Sequence, residues 1–587
     1  MWKSLVKGAA LSGALLFIVS GCGQSAPPPP QPKRSSPASQ AWLKLSNAFI
    51  EDYMLAQPAF AAQAGRHEFD GQLPDVSAHG LKREIARLHD QRDQIAAVDA
   101  GALEPRERFD REYLLAVVDK DLFWLEKTQF PFSNPSWYLG QIDPDMYLSR
   151  NYAPLEVRMK AYIKYAQGIP KIAAAIKENL KSPMPKTYVE LGIEEFGGLA
   201  DFYSKDVAAV FQPVTDADLQ QQLKDADAAA AQTMIGLKEY LVGERKKAND
   251  KYALGPDLFA QMLKQTEQVD LPVEQIEAAG RADLERNTAD LKAECSTYAP
   301  RSPLAQCVAK MQANKPKGGP VEEARKQLKM LKEFIVQNNV VSIPSGDEAL
   351  VAEAPPYNRS NAAFINTAGP YDKGVVSIYN IAPPDPKWSK AEQAAYIPGE
   401  AVLLFTSVHE VWPGHFLQFL HSNANPDKLE GLWVGYAFAE GWAHYCEVMM
   451  AEMGLAKGDP ERHIGQLSEA LLRDVRMLSA IGLHTHGMTV AQSEKMFREE
   501  AFQDPGNARQ QAARGTYDPA YLNYTLGKLM IRKLRTDWLA KNAAGAAPNP
   551  DDHTRWHEFH DKFLSYGGPP IPLLRKEMLG GESGSLL

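Results

Sequence analysis

The sequence predicts a mainly α protein: a large helical body with one small β-hairpin or sheet beside a helix that carries buried polar residues. Three observations predict it. Apolar residues recur at spacings of three and four through most of residues 41–340. One stretch, "AAFINTAGPYDKGVVSIYNI", alternates as two short strands do around Gly369-Pro370. From Glu400 the helical pattern returns, and its long apolar runs are interrupted by a few ionisable residues.

The N-terminus reads "MWKSLVKGAALSGALLFIVSGCGQ". Lys3 and Lys7 form a positive lead, and Leu11–Val19 is an apolar run too short to stay in a bilayer as a span. Cys22 stands where cleavage falls, so the segment looks like a bacterial lipobox: a signal peptide over 1–21 and a lipid on Cys22. This predicts an exported lipoprotein of the cell envelope, held at the membrane through Cys22. Residues 22–40 are Pro- and Ser-rich and predict a tether. Composition, 44% hydrophobic and 23% charged, is that of a soluble globular body, and the net charge of −9 argues against nucleic acid as a partner.

Residues 41–340 predict a helical N-terminal region. "ERFDREYLLAVVDKDLFWLEK" and "PLEVRMKAYIKYAQGIPKIAAAIKENL" carry the apolar stripe of helices that pack on one face. "VEQIEAAGRADLERNTADLKAEC" places acidic residues near its start, where they favour the helix dipole. Cys295 and Cys307 frame a short loop and predict a disulfide in an oxidising compartment, and Cys446, inside an apolar run, predicts a buried, inert thiol.

The remainder, 341–587, predicts the catalytic region. In its strand pair, Val375, Ser377 and Tyr379 face one way and Val376, Ile378 and Asn380 the other. Such a hairpin is either a purely structural element or an edge that pairs with an extended peptide.

The next segment contains "HEVWPGH". Histidines four apart on a helix can share one cation, but His409 and His415 are six apart, which rotates them by about 120° and separates them by about 9 Å on a straight helix. Pro413 cannot donate to the carbonyl of His409, and Gly414 adds backbone freedom. The pair predicts a break after Trp412 that swings His415 back to the ion and leaves Glu410 facing it. Downstream, Glu440, His444 and Glu447 form a polar stripe at i, i+4 and i+7 on an apolar helix. Ionisable groups on a buried face need one another or an ion, so Glu440 is the candidate third ligand, with His444 and Glu447 behind it or facing substrate. Further on lie His484, His486, Tyr517, Tyr521 and Tyr524, and Arg473 and Arg476, which either bind a carboxylate bidentately or pair with acids such as Glu469 and Asp474.

The combination HExxPGH and EGWAxYxE, here from about Tyr357 to Arg535, resembles a large bacterial family of exported proteins filed as a domain of unknown function and read as zinc peptidases. The layout is also similar to gluzincin peptidases such as Taq-type carboxypeptidases and thimet-type oligopeptidases, largely helical zincin-like folds with a glutamate ligand well after the second histidine. The resemblance implies one zinc ion on His409, His415 and Glu440, Glu410 as general base, and His484 and Tyr524, from recurring GLH and YxxG segments, as catalytic donors. Tyr521 and Arg476 would stand nearby or touch substrate. The implied activity is hydrolysis of short peptides. The competing readings are a non-catalytic lipoprotein that binds peptides or envelope components, and a metal-dependent amidase on another substrate.

Overall fold

Helix Pro37–Ala56 opens the chain's described part, with Ser36 as its cap accepting a hydrogen bond from the Ser39 N–H. The computed structural model describes residues 36–355, 359, 362–543, 553–581 and 584–587. The signal segment 1–21, Cys22 and most of the 22–40 tether lie outside these residues. The tether's last four residues are helix, because Pro37 sits in the first turn, where its missing N–H costs nothing.

The amphipathic stretches fold as their periodicity requires. Helix Val273–Tyr298 starts at the residue the acidic cap signal marks. Helix Pro105–Leu122 starts behind a capping box of Glu104 and Glu107. Among the described residues no helix is long and apolar enough to cross a membrane. Cys295 and Cys307 are bridged, and Cys446 is free and buried.

Two hydrophobic cores form. Helices Leu155–Asn179, Lys186–Lys205 and Ala217–Glu244 enclose one of their own around Tyr162, Phe196, Phe211 and Leu241. The other runs from Trp42 to Leu579, mixing helices from both sides of residue 340. The division expected near residue 340 is therefore not a gap in the packing.

The expected strand pair is present and part of a larger element. Strands β1 (Leu350–Glu353), β2 (Ala363–Asn366) and β3 (Ile378–Ile381) form a sheet in the order β1-β3-β2. β2 is antiparallel to β3, with Ile365 opposite Tyr379, and β1 is parallel to β3. Ser377 and Tyr379 are buried and Val376 is exposed, as alternation demands. Asn380 is buried as well, so both faces of β3 are covered at this end. Among the described residues β2 is an edge strand. The Ala382 N–H donates to Ala362, so the alternation of the antiparallel ladder turns the backbone groups of Ala363 and Ile365 to the free edge.

Candidate metal centre

Helix Glu400–Glu410 is apolar along nearly its whole length and ends with His409 and Glu410. It stops after Glu410, two residues before the break expected after Trp412. Val411 leaves helical geometry (φ −125°, ψ −72°), and the N–H groups of Val411 and Trp412 both donate to Ser407 O. The chain then folds back so that the Gly414 N–H reaches Val408 O at 3.0 Å, and a new helix, His415–Ala424, begins at once. Trp442 holds the turn from outside, its indole N–H donating to Pro413 O at 2.9 Å. A side chain at 414 has no room: a β-carbon there would stand 1.8 Å from the His409 carbonyl oxygen.

The fold-back brings the two histidine rings to 4.9 Å, nearly perpendicular. Glu440, on helix Tyr436–Glu452, completes the group. Its Oε2 lies 3.2 Å from His409 Nε2 and 3.4 Å from His415 Nε2. Ligands held tetrahedrally by zinc at about 2.05 Å stand about 3.3 Å from one another, so these spacings fit such an ion. Two imidazoles and one carboxylate also match the donor chemistry of a zinc site that keeps one position open.

A layer behind the ligands fixes their protonation. His409 Nδ1–H donates to Glu447 Oε1 at 2.7 Å, and Arg473 lies 3.1 Å from the same oxygen while pairing with Glu469 at 2.6 Å. Burial disfavours the His409 cation, but Glu440 and Glu447 outweigh it and raise its pKa to about 9 without an ion. Burial likewise opposes the charge on Glu440, yet His415 and His409 hold its carboxyl well below the usual range. Glu447 is held low chiefly by Arg473, against burial. His444, fully buried with Nδ1 3.6 Å from Glu447 Oε2, is pushed down to about 3 by burial and by Lys528, and so stays neutral. It stands behind Glu447 and does not face a cleft. Replacing Glu447 by Gln should weaken zinc binding about 10- to 100-fold, because the proton on His409 Nδ1 loses its anionic acceptor. Competition against a chromophoric chelator measures this, and a change below about twofold would contradict the role.

Glu410 approaches from the other side. Its Oε2 accepts the N–H of Ile365, on the free edge of β2, at 3.1 Å. Burial raises its pKa, with His409 and His415 pulling the other way. The Tyr524 ring lies 6.3 Å from the His409 ring at 19°, with the Arg476 guanidinium over its face at 4.9 Å. Helix Asn523–Lys541, which bears Tyr524, can come this close because it crosses the Glu440 helix at Gly441 and Gly527. A β-carbon on Gly527 would meet Ala437 O at 2.2 Å.

Two expectations need correction, those for His484 as a catalytic donor and for Arg476 as the partner of an acid. His484 is buried away from the cluster: Nε2–H donates to Gly515 O at 2.8 Å and Nδ1 accepts the Leu254 N–H at 3.2 Å, so both ring nitrogens serve the backbone. Arg476 pairs with Gln511 through Nε at 2.8 Å and not with an acid. Tyr521 is fully buried beneath the Arg514 guanidinium, which lies 5.9 Å from its ring and 5.8 Å from that of Tyr524. Two participants escaped the sequence reading. One is the Ile365 N–H. The other is Lys528, fully buried between Asp283 and Asp474 behind His444.

The sequence matches the family described as "Bacterial protein of unknown function (DUF885)" over residues 58–578. The chain belongs to the DUF885 family. Solved structures agree with its fold. One, of a candidate lipoprotein of unknown function from Shewanella oneidensis, is 24% identical with TM-score 0.73, covering 92% of this chain and 99% of its own. Another, of a candidate lipoprotein from Colwellia psychrerythraea, is 17% identical with TM-score 0.76, covering 93% and 99%. A carboxypeptidase from Pyrococcus furiosus aligns over 86% of this chain and 96% of its own at 12% identity, and its TM-score of 0.31 carries no weight. No curated protein matches in sequence. In this DUF885 member the candidate chemistry lies in the cluster of His409, His415 and Glu440.

Proposed function

We propose that the chain is a zinc-dependent peptidase of the cell envelope that hydrolyses short peptides. The observation that carries this reading is the convergence of His409 Nε2 and His415 Nε2 on Glu440 Oε2 at tetrahedral-edge spacings, with the Glu410 carboxylate alongside. When bound, zinc supplies Lewis acidity to the carbonyl under attack and to the attacking water.

The protein's own residues do the rest. His409, His415 and Glu440 hold the ion, and Glu447 with Arg473 behind it keeps His409 oriented with its proton on Nδ1. Glu410, raised by burial, accepts the water proton and delivers it to the departing amine, so that one carboxylate serves as base and then as acid. The Tyr524 hydroxyl is the donor we assign to the carbonyl oxygen as it gains charge, since Tyr524 lies against His409 whereas His484 does not. The edge of β2 supplies the backbone groups of Ala363 and the carbonyl of Ile365 for an extended peptide, next to Glu410, which takes the Ile365 N–H.

The candidate lipoprotein descriptions of the two similar structures support an anchor at Cys22, as the N-terminal segment suggests. Purified protein should hold one zinc per chain after extensive dialysis and cleave unstructured peptides in a mass-spectrometric library. Treatment with a strong chelator should remove both properties, and zinc should restore them. Peptide binding that survives chelation, with no turnover in any state, would favour a binding lipoprotein. Turnover confined to non-peptide amides would keep the site and change the substrate.

A further inference from the structure

A second group of oxygen ligands lies away from the histidines. Asp110, on helix Pro105–Leu122, faces Asp427, the N-cap of the short helix Lys428–Leu432, and Glu430 within that helix, and one carboxylate oxygen of each lies within 4.8 Å of the others. Two oxygens of this group have no hydrogen-bond partner among the described residues: Asp110 Oδ1, on a residue 4% exposed, and Glu430 Oε1, on a residue fully buried. Other oxygens of the group have protein partners. Arg106 pairs with Glu430 Oε2, the Asn425 amide donates to the same oxygen at 2.7 Å, and Asp427 Oδ1 caps the Leu429 N–H at 2.9 Å.

Buried carboxylate oxygens without a donor are costly, and three carboxylates facing one another are more so. Arg106 offsets one charge and does not reach the orphaned oxygens. A hard cation satisfies all of them together. Calcium takes oxygen ligands at about 2.3–2.6 Å, so two of its ligands stand no more than about 5 Å apart, the spacing found here. The set contains no nitrogen or sulfur donor, which disfavours zinc, and Asp427, half-buried, leaves an entry path.

We propose that Asp110, Asp427 and Glu430 form a structural calcium site. It joins the N-terminal helix Pro105–Leu122 to the segment between the His415 helix and the Glu440 helix. The neighbouring bond from the Tyr113 hydroxyl to Trp433 O, one helical turn from Asp110, already ties the same two parts together. The site thus stands on its own donors and is independent of the zinc reading.

The test uses full-length protein preloaded with zinc, so that the His409 cluster is filled, and 45Ca²⁺ in equilibrium dialysis at millimolar calcium. Wild type should bind one calcium per chain, with a higher Tm and slower tryptic cleavage after Lys428 than in EGTA. D110N, of the same shape, should lose calcium affinity about tenfold or more and lose the Tm shift. In EGTA, D110N should melt above wild type, because the substitution removes repulsion. A wild type that binds no calcium, or a D110N variant that binds it as wild type does, overturns the site. So does a D110N variant that, in EGTA, melts at or below wild type.

Discussion

Glu410→Gln is expected to leave one zinc per chain and to lower kcat about 10²- to 10⁴-fold, the span a positioned general base contributes. The amide has the shape of the carboxylate and can still accept the Ile365 N–H, so the β2 edge and the metal ligands stay where they are. It cannot take up a proton from water. Zinc content and steady-state turnover, measured on one preparation, check both halves. Turnover unchanged by the substitution would remove Glu410 from the chemistry. Loss of zinc together with turnover would show that Glu410 holds the site together instead.

The second large effect is expected at a position that touches no substrate. Gly414→Ala puts a methyl group 1.8 Å from the His409 carbonyl oxygen and 2.5 Å from that of Val408, both backbone atoms that cannot rotate away. The fold-back must open, and with it the approach of His415 Nε2 to Glu440. Overpacking of this kind costs about 1–3 kcal/mol, and the cost falls on the geometry that closes the chelate. The expected outcome is a folded protein, native by far-UV circular dichroism, with zinc affinity reduced at least about tenfold. Wild-type affinity in this variant would show that the turn is more compliant than its contacts imply.

Much of this architecture is legible in the sequence, for identifiable reasons. The helical stripes report their own period, and Pro413-Gly414 announces a break because each residue acts on its local backbone. The break's position is less legible. Proline removes the bond to His409 O, but the helix already ends at Glu410, because Val411 and Trp412 share Ser407 O as their acceptor. Trp412 is buried at this turn, and the buried Trp442 donates its indole N–H to Pro413 O.

The ligand set is legible for a similar reason: Glu440, His444 and Glu447 are conspicuous on an apolar helix. What divides their roles are partners on other helices: Arg473 pairs with Glu447 beside His409, while burial and Lys528 keep His444 neutral. His484 shows the opposite case. As a lone histidine near a helix end it resembles a donor, yet its partners, Leu254 and Gly515, are remote in sequence and supply backbone groups that no side-chain pattern advertises. β1 escaped for the same reason, since a four-residue parallel strand has no hairpin partner to announce it. Lys528 looks like a surface lysine on an amphipathic helix until Asp283 and Asp474, from two other helices, close around it.

The central claim is that two histidines six residues apart and a glutamate 25 residues further on share one ion. The most direct test is diffraction from zinc-loaded crystals at energies just above and below the zinc absorption edge. The account predicts one anomalous peak, present only above the edge, within about 2.2 Å of His409 Nε2, His415 Nε2 and Glu440 Oε2. A peak that excludes His415, or no peak between these three atoms in crystals that contain zinc, would contradict it.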